Sequence, residues 1–548
     1  MLPGEQQPIS ADGSPRSPDQ FSRNSAYGTI AGLCTAIGSV LANVIVAHML
    51  GVEGTGVIVF ALWMAMLAAA VTDLGAQATL ARYLPELTLA GRAADGDRLT
   101  ALLRSAVALA CCAALAGFAS YGGWEWWAGG AEPAISILVG VACALQALAG
   151  FTYGYLRGVQ RFDHLALVTA VSLAAQLVFV AVGSLTFGLP GALVGYCTGS
   201  VLPAALALRP ARCTGPLAAD IRRRARRYAL YAWAGALSSA FVWSRAEVFF
   251  LNRSAGSAAV GLFSVGVTLA NLASQAPMLL TAGLLPYFAQ AFGKGALAEM
   301  RDAYASATRV LAFLVFPACF GMAAVLPALL PMLYGRAFAG ALPAATILVI
   351  GAGIGSAASV GTSLVMAVDR SDFIFLSGLV AAVLTVIAGF TAIPAFGLMG
   401  AVWARVAIQV AAVAFGGWFV FSRLGFPLPF RDLAKLLVAA GLCGAAARLC
   451  LLVPGAGSLP AAILAGAATY MVSIRVLHAL PAGDIARLRT ITRHLPAGLR
   501  TAAELGLRVL AGSADGGRPS QAGTLATKSG QPQPLAAATG TPGGRNAN

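Results

Sequence analysis

The chain has 548 residues, 58% of them hydrophobic and only 10% charged, and a mean hydropathy of +0.79. A soluble domain cannot bury that much apolar surface in one core, so the solvent for most of this chain is lipid. The net charge of +15 does not signal nucleic acid, because the basic residues lie in short loops beside apolar runs and act there as topology determinants.

Residues 1–25 are polar, carry Pro3, Pro8, Pro15 and Pro18, and read as a disordered tail with no removable signal peptide. About 14 apolar runs of membrane-spanning length follow, and each is predicted helical because a segment alone in lipid must satisfy its own backbone hydrogen bonds. They fall at 26–50, 56–81, 100–121, 134–156, 165–187, 190–208, 228–251, 258–286, 309–332, 342–368, 373–394, 397–422, 432–453 and 457–480. About 30 of the 36 lysines and arginines lie in the two tails and in every second loop, whereas the alternate loops hold only Arg253 and Arg336. The excess of positive charge marks the cytoplasmic side, so both termini are expected inside. Trp124, Trp126 and Trp127 cluster in one outward loop as an interfacial aromatic belt.

The string Phe187-Gly188-Leu189-Pro190-Gly191-Ala192 returns as Phe396-Gly397-Leu398-Met399-Gly400-Ala401, 209 residues on, each time at an outer turn. Gly54 to Phe60 is loosely like Ala258 to Phe263, and Leu84-Pro85 parallels Leu285-Pro286. Six spans separate equivalent points, which makes the halves parallel repeats about an axis along the membrane normal. The predicted fold is an all-α polytopic membrane protein with two pseudo-symmetric six-helix lobes, at 26–208 and 228–422. A basic linker at 209–227 joins them, and two appended spans occupy 423–480. Residues 481–511 alternate apolar and arginine positions as an amphipathic interfacial helix would, and 512–548 are composed like a disordered tail. Two such bundles with a cleft between them form the architecture of an alternating-access carrier.

Several motifs carry a family resemblance over 26–480. They are Ala47-His48-Met49-Leu50-Gly51 with Gly54 and Gly56, Asp73-Leu74-Gly75 with Ala81-Arg82-Tyr83, and Arg245-Ala246-Glu247 leading into Val260-Gly261-Leu262-Phe263. Leu285-Pro286, Leu333 to Phe338, and Phe396-Gly397 with Gly400-Ala401-Val402 complete the set. Their order and spacing resemble the multidrug/oligosaccharidyl-lipid/polysaccharide exporter superfamily, specifically its bacterial polysaccharide flippase branch. Membership implies a transporter, not an enzyme, that flips an undecaprenyl-diphosphate-linked oligosaccharide across the cytoplasmic membrane. It implies membrane lipids and polysaccharide polymerase or export proteins as partners. Fourteen spans look more like the lipid II flippases and some exopolysaccharide flippases than like twelve-span relatives.

Ionisable groups inside spans need a partner or a wet cavity. Arg405 lies about 12 Å below the outer face at 1.5 Å per residue, and its guanidinium fork suits a diphosphate; a salt bridge within one lobe is the other reading. Arg245 and Glu247 project to different sides of one helix, so at least one should face the cleft or another helix. Arg448 is a further substrate candidate or a snorkelling residue. Asp73 is the coupling candidate, with a structural pair as its alternative. Asn43, His48, Gln77, Asn271 and Gln275 are polar residues able to line the cleft or, equally, to hydrogen-bond between helices, with His48 read as interfacial. No catalytic constellation, phosphate-binding loop, metal-ligand spacing or cofactor motif is present. A cation-coupled multidrug exporter is the competing function, and the preponderance of arginines over acids favours an anionic substrate.

Overall fold

The computed structural model describes residues 18–128, 133–209, 215–243, 246–278, 281, 284–356, 358–453, 457–492, 500 and 504. Arg245, most of the expected tails and part of the inter-lobe linker lie outside them. The described residues are helical, with no strand among them. Residues up to Asp484 form one compact unit, and a second begins at Ile485.

Four helices bend sharply at a glycine with positive φ: α1 (Pro18–Thr72) at Gly51, α5 (Phe162–Ala207) at Gly188, α7 (Glu247–Met278) at Gly256 and α13 (Ala392–Ser422) at Gly397. A residue with a Cβ resists that conformation, so these are the turns the chain can afford sterically. At Gly188 the chain doubles back, since Gly183 touches Gly191 and Gly195 touches Val180 through backbone atoms. Along an unbroken helix Gly183 and Gly191 would be about 12 Å apart.

Among the described residues eleven helical stretches are long and apolar enough to cross a membrane. Dividing α1 and α5 at their glycines adds two crossings. Another is built from α6 (Ala219–Trp243) and the first turns of α7, giving the expected fourteen. The arginines that open α6 keep it below the hydropathy of a span. α1 begins at Pro18, within the stretch read from sequence as tail, and proline's fixed φ suits a first helical turn.

The duplication is written into the backbone. Gly51 (φ 67°, ψ −166°) matches Gly256 (79°, 176°) at a separation of 205, and Gly188 (60°, −129°) matches Gly397 (54°, −129°) at 209. The loop after α4 (Pro133–Gly158) matches the loop after α11 (Ser359–Ala367): Gln160 and Asp369 both have positive φ, and Arg161 N–H to Leu156 O repeats as Arg370 N–H to Val365 O. Arg161 then pairs with Asp163, and Arg370 with Asp372.

The first lobe packs around Leu80, Leu99, Cys143 and Phe151, and the second around Phe263, Phe288, Leu326 and Phe338. α14 (Phe430–Cys450) and α15 (Ser458–Leu477) lie on α9 (Leu297–Tyr334) of the second lobe, where Tyr470 OH donates to Phe313 O at 2.8 Å. Arg309 of α9 ties both ends of this appendix, through Asp432 at 3.5 Å and Asp484 at 2.6 Å.

The lobes meet at the turns around Gly51 and Gly256. A Cβ on Gly56 would collide with the Ser257 carbonyl, and a Cβ on Gly261 with the Val52 carbonyl. Gly56 and Gly261 are 205 apart, as are Val52 and Ser257, so one contact is the pseudo-twofold image of the other. Gly56→Ala is expected to lower stability by about 1–3 kcal/mol through overpacking. Gly235→Ala, in open space on α6, should be neutral or stabilising by up to ~1 kcal/mol. Thermal unfolding of the two purified variants in detergent checks the opposite signs.

Candidate functional site

Below the glycine contact the lobes part around a cavity of about 680 Å³. Its wall comes from both arms of α1 (Ser39, Asn43, Thr55, Trp63), both arms of α5 (Gln176, Tyr196), α7 (Thr268, Asn271, Gln275) and α13 (Arg405). Hairpins place these residues together: each turn glycine sends a second helix back along the first, so residues far apart in the chain share one depth.

Asn43 Nδ2 donates to Thr268 Oγ1 at 3.0 Å, a buried hydrogen bond between the two lobes. The Trp63 indole N–H is buried and has no hydrogen-bond partner among the described residues, and its ring lies 6.2 Å from that of Phe249. An orphaned donor on the wall of a cavity is available to a ligand.

Arg405 and Glu247 meet. One Arg405 Nη1 donates to both Glu247 carboxylate oxygens at 3.2 Å, with the carboxylate side chain 4% exposed and the guanidinium 23%. Glu247 sits in the first turn of α7, where the helix dipole favours a negative charge. Arg405 thus makes the salt bridge within the second lobe that was one of the two readings of it, and it also lines the cleft.

The other candidates lie elsewhere. Asp73 occupies the turn between α1 and α2 (Ala76–Leu89), and its Oδ1 accepts the Gln77 N–H in the first turn of α2 at 3.3 Å. Gly75, two residues on, fits against the Ala229 carbonyl of α6. Arg448 is exposed in the last turn of α14, an end that favours a cation. Arg245 is outside the described residues. Asn43, Asn271 and Gln275 line the cleft as expected, whereas Gln77 packs against Gly154 and exposed His48 bonds the Val44 carbonyl.

The wall differs from the expected cationic passage. Among its described residues Arg405 is the one charge, and Glu247 balances it; the remaining polar groups are amides, hydroxyls and an indole. A search guided by charge passes over Trp63, Gln176 and Tyr196. The repeat itself points to two of them: Tyr196 follows Gly188 by the eight residues that separate Arg405 from Gly397, and Trp63 precedes Thr268 by 205. Both pairs face the cavity.

The model of the polysaccharide biosynthesis protein family matches residues 21–292. Among solved structures, the lipid II flippase MurJ in an inward closed conformation superposes with a TM-score of 0.67 at 12% identity, covering 82% of this chain and 98% of that one. An inward-facing multidrug resistance MATE transporter superposes with 0.55 at 17% identity, covering 72% and 94%. The chain shares the fold of these two proteins. No curated protein sequence matches it.

The ion pair inside the second lobe makes a specific demand. Glu247→Ala alone leaves Arg405 uncompensated and should cost about 3–5 kcal/mol, while adding Arg405→Met should recover a large part of that loss. Unfolding of the two single variants and the double variant measures the coupling.

Proposed function

We propose that the chain flips an undecaprenyl-diphosphate-linked oligosaccharide across the bacterial cytoplasmic membrane by alternating access, in the assembly of cell-surface polysaccharide. The observation that carries this reading is the composition of the cleft wall. Amides, hydroxyls and the orphaned Trp63 N–H are donors and acceptors of the kind a glycan's hydroxyls require. Arg405 supplies one guanidinium for the diphosphate.

In the resting state Glu247 keeps that guanidinium paired, so the empty cleft holds no isolated charge. An arriving diphosphate competes for Arg405 and weakens its link to Glu247. The polyprenyl tail has no need of the cleft and stays in lipid. The meeting of the lobes at Gly56 and Gly261 supports a state closed on the outer side, and the arginine-rich loops support assigning the opposite side to the cytoplasm. Polymerase or export proteins of the same pathway would receive the flipped product.

A cation-coupled drug exporter fits this wall less well. A cationic drug calls for a free carboxylate beside aromatic rings, and the carboxylate described next to the wall is engaged by Arg405.

The direct test uses proteoliposomes loaded with a fluorescent lipid-linked oligosaccharide, its glycan accessible to a cleaving enzyme only on the outer face. Wild-type protein should raise translocation well above protein-free vesicles. Arg405→Ala should lower it by about tenfold or more, the equivalent of a lost charge-assisted contact of ~1.5–3 kcal/mol. Translocation no faster than in protein-free vesicles removes the function; full activity of the variant removes Arg405 from the site.

A further inference from the structure

A second cavity, of about 440 Å³, lies outside the cleft, between the arginine-rich start of α6 and the first lobe. On α6 its wall is Arg222, Arg226, Ala229, Leu230 and Trp233, one stripe at helical spacing; facing it are Leu74 and, on α3 (Ala93–Trp127), Leu99, Leu102 and Leu103.

The groove has a polar end and an apolar end. From Arg222 to Trp233 is about 16 Å along the helix at 1.5 Å per residue, which carries the wall from headgroup level into hydrocarbon. Both arginines are exposed, and no carboxylate of the described residues pairs with either. Nearby charges are already matched, Arg224 with Glu86 at 2.9 Å and Arg92 with Asp220 at 3.6 Å. Five arginines, Arg222, Arg223, Arg224, Arg226 and Arg227, crowd the first two turns of α6, the positive end of the helix dipole. That arrangement opposes the dipole and itself, and an anion at the mouth of the groove relieves both.

We propose that this groove is a binding site for an anionic phospholipid, its phosphate on Arg222 and Arg226 and an acyl chain along Leu102, Leu230 and Trp233. Only the assignment of the lipid to the inner leaflet rests on the functional reading above. The lipid would fasten the helix that follows the linker to the first lobe, supplementing the Trp233 indole N–H bond to Val71 O at 3.0 Å.

The test uses full-length protein in phosphatidylcholine nanodiscs, titrated with phosphatidylglycerol, with bound lipid counted by native mass spectrometry. Wild type should retain phosphatidylglycerol in preference to phosphatidylcholine. Arg222→Gln with Arg226→Gln should weaken that retention about thirtyfold, from ~1 kcal/mol per basic residue, while Arg223→Gln with Arg227→Gln, the same loss of charge off the groove, should leave it within about threefold. Leu102→Trp, which fills the apolar end, should also weaken it. Equal loss in the two double variants would mean general attraction to a basic surface and overturn the site. Binding of free glycerol phosphate as tight as that of the lipid, or an undiminished affinity in Leu102→Trp, would overturn the acyl-chain half of the proposal.

Discussion

The architecture depends on two glycines that touch across a pseudo-twofold axis. In lipid no hydrophobic force draws one helix to another, so association rests on close packing, and only residues without a Cβ let two backbones come this near. Gly56 meets the Ser257 carbonyl and Gly261 the Val52 carbonyl. Because each contact is the image of the other, the second half-site costs no separate design. The lobes are pinned at the ends that carry these glycines and part beyond them, and the space so made is the cleft.

What fills that space follows from the low dielectric around it. A lone guanidinium there would be expensive, and Glu247 at a helix N-terminus makes Arg405 tolerable without removing it from the wall. The remaining wall groups are uncharged, which keeps their desolvation small while leaving hydrogen-bonding capacity for a polar ligand. The Asn43–Thr268 bond crosses between the lobes within this wall, so relative movement of the lobes must break a buried hydrogen bond and offer its partners to whatever occupies the cleft.

The spans were legible because hydropathy and the alternation of arginines are imposed by the bilayer itself. The repeat was legible at Phe187 to Ala192, where the turn demands a positive-φ glycine and leaves little sequence freedom. Around Gly54 to Phe60 the sequence match is off by one residue at its start and two at its end, because only Gly56 and Gly261 are constrained there and the apolar residues beside them are interchangeable. Arg405 and Glu247 were visible as charges out of place in apolar runs, but their pairing was not, since the hairpin geometry that joins α7 to α13 is tertiary. Trp63, Gln176 and Tyr196 give no signal by charge, and only Trp63 and Tyr196 emerge from the correct repeat register. Asp73 is likewise an acid within an apolar run, and in the fold it accepts the Gln77 N–H at the start of α2 rather than lining the cleft.

If the lobes rock, the glycine contact must open. Spin labels at Glu53 and Arg253, exposed residues beside the Gly51 and Gly256 turns of the first and second lobes, report that separation in lipid nanodiscs by pulsed electron resonance. The account predicts a short distance in the unliganded protein and a second, longer population once lipid-linked oligosaccharide is supplied. A single short distance that persists while translocation proceeds would contradict it.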